Sequence, residues 1–306
     1  MTDADAPAVA NGDTDRDTDL IQAFVLQEGP RGRLARLGPA LDTILRRHAY
    51  PLPVARLLGE CLTLATVLAA GLKFEGIFTL QIKGEGPVTT LVADVTSRGM
   101  VRGYAGFDPD ALPDPETAAE RPVPALLGSG HLAFTVDQGP DTDRYQGIVA
   151  LTGDTLPHCL EHYFHQSEQI DTHLRLALRG PDDGAESWEG AGVALQHLPD
   201  QGNADAWQTA GVLLQSATSN ELLELAPETV LDRLFRAEGL TLQDPRGVYA
   251  GCRCSRLRVL RTLVSFPISE LEGMEDDGVV TVTCQFCTTE YRFEHNELVA
   301  AVGEQA

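Results

Sequence analysis

Two cysteine pairs carry the most specific chemistry in this chain: Cys252-x-Cys254 in "GCRCSRLRVL", and Cys284-x-x-Cys287 between "VVTVT" and "TTEYRF". The pairs are separated by 29 residues, 255 to 283. A C-x-x-C in a turn between two strands bends so that both sulfurs face one point. In an extended segment residues i and i+2 share a face, so a C-x-C also presents both sulfurs to one side. Two such pairs close a tetrahedral site around one zinc ion, with zinc–sulfur distances of about 2.3 Å. Four thiolates leave no open coordination position, so such a site is structural or regulatory and performs no Lewis-acid chemistry. The same closeness permits a second state. Each pair lies within the range a disulfide bridges, closing a loop of only a few residues. A loop that short adds little by chain entropy, but forming it removes thiolates whose metal binding is worth on the order of 10 kcal/mol to the fold. A disulfide here is a poor staple and a workable switch.

The elements around these cysteines read as an α+β chain. "LIQAFVLQEGPRGRLARLG" opens with a strand-like run, "PALDTILRRHAY" has helical spacing, and the apolar segment 53–72 reads as a buried helix. Residues 76–106 alternate in three short runs separated by Gly-Glu-Gly-Pro and Ser-Arg-Gly, a meander of antiparallel strands. "ALLGSGHLAFTVDQ" and "RYQGIVALTG" add a strand pair, and "DTLPHCLEHYFHQSEQI" a helix started by Asp154 or Thr155. "THLRLALRG" and "GVALQHLP" return to strand. The expected organisation is an acidic disordered tail over 1–17, an α+β core domain with antiparallel sheet and helices over 18–198, a helical linker over 199–248, and a small zinc-binding redox domain over 249–306. The linker's short helical patterns, broken at Pro227 and Gly239, hold too few apolar residues for a core of their own. Such a segment leans on a neighbouring surface, and its attachment is marginal and switchable.

Composition narrows the function classes. With 45 acidic against 23 basic residues the formal charge is −22, which repels phosphate backbones and argues against nucleic acid as partner. The N-terminus has neither a basic start nor an apolar run, and segment 53–72 carries Arg56 and Glu60, so neither an export signal nor a membrane span is expected and the protein reads as cytoplasmic. In a reducing compartment, clustered cysteines point to metal or redox chemistry ahead of structural disulfides. The two remaining cysteines, Cys61 among leucines and Cys159 in "PHCLEHYF", read as small buried side chains.

"CRCSRLRV" followed by "VTVTCQFCTTEYRF" resembles the zinc segment of the 33-kDa heat-shock protein family, the redox-regulated holdase chaperones. "GEGPVTTLVADVTSRGMVRGYAG" and "EHYFHQSEQIDT" resemble that family's core-domain signatures, and "LLELAPETVLDRLFRAEGL" its helical linker, so the resemblance covers nearly the whole chain after residue 18. One departure is Ala250, two residues before the first cysteine, where the family often has an aromatic; Tyr249 stands one position earlier. The resemblance implies an ATP-independent chaperone, not an enzyme, held inactive by one zinc ion on Cys252, Cys254, Cys284 and Cys287. Oxidation together with mild unfolding would form Cys252–Cys254 and Cys284–Cys287 disulfides, release zinc and loosen the linker. The oxidised form would bind unfolding client proteins, often as a homodimer, and hand them to ATP-dependent foldases.

Other constellations are weaker. His158, His162 and His165, with Glu161 and Glu168 nearby, suggest a metal face, but a partly exposed helix with Tyr163 and Phe164 packed inward accounts for them. "GEGP" at 84–87 is a hairpin turn, since no phosphate-loop pattern follows. Arg256, Arg258 and Arg261 stand near the cysteines, where they either favour thiolate or form a solvated helix face. Two further function classes fit a four-cysteine segment: a constitutive zinc-ribbon adaptor for nucleic acid or protein, and a thiol-disulfide oxidoreductase. The charge of −22 argues against the first, and a C-x-x-C set between strands, away from a helix start, against the second.

Overall fold

The computed structural model describes residues 19–72, 75–139, 145–197 and 204–303; the expected acidic tail lies outside them. The chain forms two compact units, one ending at Ala250 and one beginning at Gly251.

The first unit opens with a hairpin of β1 (Leu20–Val25) and β2 (Arg31–Leu37). Helix α1 (Pro39–Arg46) follows at once, and its N-cap, Gly38, has no side chain to satisfy the free N–H groups. Asp19 does so from the start of the hairpin, accepting from Gly38 N at 2.6 Å and Ala40 N at 2.7 Å. Pro51 and Pro53 then set the first turn of α2 (Leu52–Ala69), where a missing N–H costs nothing. Next come the meander β3 (Ile77–Gly84), β4 (Val88–Thr96) and β5 (Met100–Phe107), the short α3 (Pro115–Glu120), and the pair β6 (Gly130–Asp137) and β7 (Tyr145–Ala150). Helix α4 (Leu156–Tyr163) starts at Thr155, whose hydroxyl accepts from His158 N, and strands β8 (Asp171–Arg179) and β9 (Glu189–His197) follow.

These strands form two six-stranded sheets where the sequence suggested only successive strand blocks. After helices α5 (Ala204–Ser216), α6 (Ser219–Glu224) and α7 (Pro227–Phe235), three two-residue strands complete them: β10 (Thr241–Leu242), β11 (Arg246–Gly247) and β12 (Tyr249–Ala250). One sheet has the order β10-β1-β2-β9-β8, with β11 also pairing β1; the other runs β12-β5-β4-β3-β6-β7. Tyr249 and Ala250, assigned from the sequence to the zinc-binding segment, pair in parallel with Met100 and Val101 of β5 in the first unit, and Ala250 packs against that unit's core.

Helix α2 is the centre. Fourteen of its 18 residues are buried, and its core cluster takes side chains from both sheets. The approach is close enough to demand glycine opposite it: a Cβ on Gly190 would lie 2.5 Å from Thr63 Oγ1, and one on Gly103 2.9 Å from Leu62 Cδ2. The buried Thr63 and Thr66 hydroxyls donate back to the Gly59 and Leu62 carbonyls at 2.9 and 2.8 Å, so neither is left unpaired. By length and composition α2 passes for a membrane span, but 78% of it is buried inside the protein.

The sheet containing β9 is covered on both faces. Ala194 joins the α2 core, while its neighbours Val193 and Leu195 join a second cluster beneath α5–α7, as the two-residue period of a strand requires. In that cluster Leu214, Leu222, Leu231 and Phe235 are fully buried, and Phe235 stacks on Phe24 with ring centroids 5.4 Å apart. A reciprocal Thr218–Glu221 capping box starts α6, and Pro227 starts α7. Truncating a buried phenylalanine costs about 3–5 kcal/mol. Phe235→Ala is therefore expected to speed amide exchange throughout α5–α7 by at least a hundredfold while leaving α2 protected, as hydrogen-exchange mass spectrometry would read.

Candidate metal centre

The second unit comprises α8 (Arg256–Leu263), α9 (Ile268–Gly273), a sheet of β13 (Glu275–Asp276), β14 (Val279–Thr283) and β15 (Glu290–Glu294), and α10 (His295–Gly303). Its core is small: among the described residues, Leu263, Leu271, Val280, Phe293 and Leu298 form the buried cluster. Arg256 ties three elements of this unit together. Its guanidinium lies 4.3 Å from the centre of the Phe293 ring, donates to the Arg292 carbonyl at 2.6 Å and pairs with Glu297 at 2.5 Å.

The β14–β15 turn builds the C-x-x-C half. Cys284 N donates to the Thr289 carbonyl at 3.0 Å and Thr288 N to the Cys284 carbonyl at 2.8 Å. Thr288 adopts φ +59, which closes the knuckle and turns Cys284 and Cys287 to one side. The C-x-C half lies in the segment just before α8, whose N-cap Ser255 accepts from Arg258 N.

All four sulfurs lie within 4.8 Å of one another; Cys252 and Cys284 Sγ are 3.7 Å apart, and Cys254 and Cys287 Sγ 3.3 Å. A tetrahedron of sulfurs at zinc–sulfur distance has edges of about 3.8 Å, so the donor set fits a closed four-thiolate metal site. Two hydroxyls support it, and the sequence reading missed both: Tyr291 donates to Cys254 Sγ at 3.1 Å, and Thr289 Oγ1 lies 3.2 Å from Cys287 Sγ. The only available signal was their place in "TTEYRF", directly after the second pair.

These contacts divide the thiols. Burial works against ionising Cys287, but hydrogen bonds from the Thr289 side chain and backbone, together with those from the Cys254 and Cys252 thiols, outweigh it and lower the pKa to about 6. Burial raises Cys254 to about 12, offset in part by Tyr291 and reinforced by the neighbouring thiols. Without a metal, one thiolate already forms near neutrality while burial and the other sulfurs resist a second; a dication removes that conflict. Two of the three arginines have other work: Arg256 is held as above, and Arg258 donates to the Arg253 carbonyl at 2.8 Å.

Several of the other candidates of the sequence have structural partners. His158, His162 and His165 line one shallow groove of the first unit, but His165 Nδ1 pairs with Asp171 at 2.8 Å, and Glu161 accepts from Leu174 N at 2.7 Å. Glu168 accepts from the Tyr145 and Tyr163 hydroxyls. Tyr163 is buried and Phe164 packs against the core, and among the described residues only the cysteine quartet gathers three or more ligand atoms closely enough for an ion. Cys61 and Cys159 are buried, and burial pushes their thiols up to about 12 and about 11, which leaves them inert.

A unit with so small a core is expected to depend on an ion held by its four thiols. Stripping metal from the reduced protein with a chelator is expected to lower amide protection in β14 and β15 at least tenfold while β3 and β4 keep theirs. Unchanged protection in β14 and β15 of metal-free reduced protein would show that the second unit folds without an ion.

Comparison with known proteins agrees with this geometry. Residues 19–294 match the family described as Hsp33 protein. The 33 kDa chaperonin of Caulobacter vibrioides is 40% identical over 286 residues, spanning 90% of this chain and 95% of its own length. That of Serratia proteamaculans is 37% identical over 272 residues, spanning 88% and 90%. The crystal structure of the 33 kDa chaperonin, a heat shock protein 33 homologue, from Thermotoga maritima aligns with a TM-score of 0.81 at 24% identity over 94% of this chain and 99% of that one, a likeness of fold. With a family match from the first strand to the end of the β14–β15 hairpin, and relatives of this identity along nearly their full length, the chain belongs to the Hsp33 protein family.

Proposed function

We propose that this protein is a redox-regulated, ATP-independent chaperone of the cytoplasm, whose four-cysteine site holds one zinc ion in the reduced, inactive form. The observation that carries this reading is the convergence of four thiols at metal-ligand spacing in a unit with almost no core of its own. Zinc, when bound by Cys252, Cys254, Cys284 and Cys287, supplies no reaction chemistry; it keeps four thiolates at one point.

Activation is the loss of those thiolates. Each pair of thiolates yields two electrons to a peroxide-type oxidant and forms one S–S bond, while the O–O bond breaks and its oxygens leave as water with two protons taken from solvent. All sulfur pairs are close in the reduced site, so proximity does not choose the partners. Loop size favours Cys252–Cys254 and Cys284–Cys287, since local bridges form even as the unit loses its fold. Arg253 stands between the first two, so a tryptic cut there leaves the halves joined to each other in a local bridge and joined to the Cys284–Cys287 peptide in a crossed one.

Within the 199–248 segment, helices α5–α7 are the elements that respond. The cluster under α5–α7 is separate from the α2 core, so releasing these helices uncovers Phe24, Leu34 and Leu195 together with the helices' own apolar faces, and leaves the central sandwich intact. Such a surface suits unfolding polypeptides of any sequence, with dimerisation and transfer to ATP-dependent foldases as the accompanying steps. Nothing in this cycle requires the chain to act as an enzyme.

Peroxide-treated, zinc-free protein is expected to suppress thermal aggregation of a client at near-stoichiometric ratios, while the reduced zinc form does not; light scattering and a colorimetric zinc assay on the same samples follow both changes. Equal suppression by the two forms would remove the redox reading, and no suppression by either would remove the chaperone reading.

A further inference from the structure

The first unit contains a second polar feature that the redox cycle does not use. Glu60 sits on α2 with Oε2 buried and without a hydrogen-bond partner. It lines a cleft of about 330 Å³ between α2, α3 and the turn after β8. The walls are apolar, formed by Leu52, Leu57, Ala118 and Leu126 among others. Among the described residues the one cation lining the cleft, Arg56, sits a helical turn away and is already committed: it donates to Asp182 at 2.8 and 2.5 Å and to Asp183 at 2.6 Å. Counting the charges that face the cleft, Glu60 from α2 and Asp182 from the turn stand against Arg56 alone, and α3 contributes none of its own. Burial raises the Glu60 carboxyl to about 7, and Arg56 offsets this only in part.

A buried acceptor left unmatched is costly in a fold that pairs nearly all its polar groups. An ammonium offers donors and no acceptor, so it complements a lone carboxylate. Apolar walls ask for a hydrocarbon body behind that ammonium, and the volume, at the low end for ligand pockets, limits it to a small one. A divalent ion is the poorer occupant, since the other carboxylate at the cleft, Asp182, is already held by Arg56. We propose that this cleft is a binding site for a small amphiphilic amine, its ammonium paired with Glu60 and its hydrocarbon chain against the α2–α3 wall. The site is independent of the cysteines and of the chaperone reading.

The test titrates n-hexylammonium chloride, with n-hexanol as the uncharged counterpart, into the reduced zinc-loaded full chain, read by calorimetry and by chemical shifts of the α2 and α3 amides. Saturable hexylammonium binding is expected at pH 8, at least tenfold tighter than hexanol, and weaker at pH 6, where Glu60 holds its proton. Glu60→Gln keeps the shape and removes the charge. Because a carboxyl with a raised folded-state pKa loses stability for the protein as pH rises through that pKa, this variant is expected to melt no lower than wild type at pH 8. It should lose at least tenfold in hexylammonium affinity. Ala119→Trp, at an exposed wall position, fills the cleft from its rim and should abolish binding with the carboxylate still present. Saturable binding lost in both variants supports the site. Equal affinity in wild type and Glu60→Gln, hexanol binding as tightly as hexylammonium, or no saturable binding at pH 8 overturns it.

Discussion

In the second unit, every element other than the cysteines is held by little. Among its described residues five buried apolar side chains make up the core cluster, and hydrophobic burial on that scale does not offset the conformational entropy of ordering its residues. What remains is the requirement that four sulfurs meet at one point. The knuckle at Thr288, the segment before α8 and the hydroxyls of Thr289 and Tyr291 are arranged to satisfy it. Arg256 then joins α8 to β15 and α10, so that helix and hairpin order together. On the proposed reading, a fold resting on thiolates is stable only while they remain thiolates, and its folding equilibrium would follow the redox state of its surroundings.

The first unit is built on the opposite principle. Helix α2 is enclosed by two sheets, with glycines at Gly103 and Gly190 admitting it closely, and its fold needs no covalent or ionic help at the centre. The helices α5–α7 lie outside that sandwich, on the far face of one sheet, with their own apolar cluster. The layering gives one unit two separate apolar clusters, and on the proposed reading the outer one opens while the inner one persists. A chaperone that must expose apolar surface under stress without unfolding altogether needs this separation.

Much of this was legible in the sequence. The strand alternation of residues 76–106 became β3–β5, the apolar run from residue 53 became the buried α2, and Thr155 did start α4. The four cysteines were identifiable because metal ligation leaves its mark in local spacing. What was not legible depends on long-range contact. The division of strands between two sheets is a matter of pairing order, and the two-residue strands β10–β12 are too short to show any period. Tyr249 and Ala250 were placed with the cysteines because they adjoin them in sequence, whereas β5 supplies their hydrogen-bonding partner. Thr289 and Tyr291 look like ordinary strand residues until the sulfurs are placed beside them. The unpaired oxygen of Glu60 shows only once α3 and the turn after β8 are in position.

Arg56 and Glu60 also matter before the protein has folded. With a mean hydropathy of 1.5 over 18 residues, α2 emerging alone from a ribosome resembles a segment destined for the lipid bilayer. A charged residue near the middle of a helix opposes insertion by roughly 2.5–3.5 kcal/mol, and Glu60 stands close to the midpoint with Arg56 one turn before it. The same two side chains that edge a cleft in the finished structure thus make this helix a poorer candidate for the bilayer than its hydropathy alone suggests.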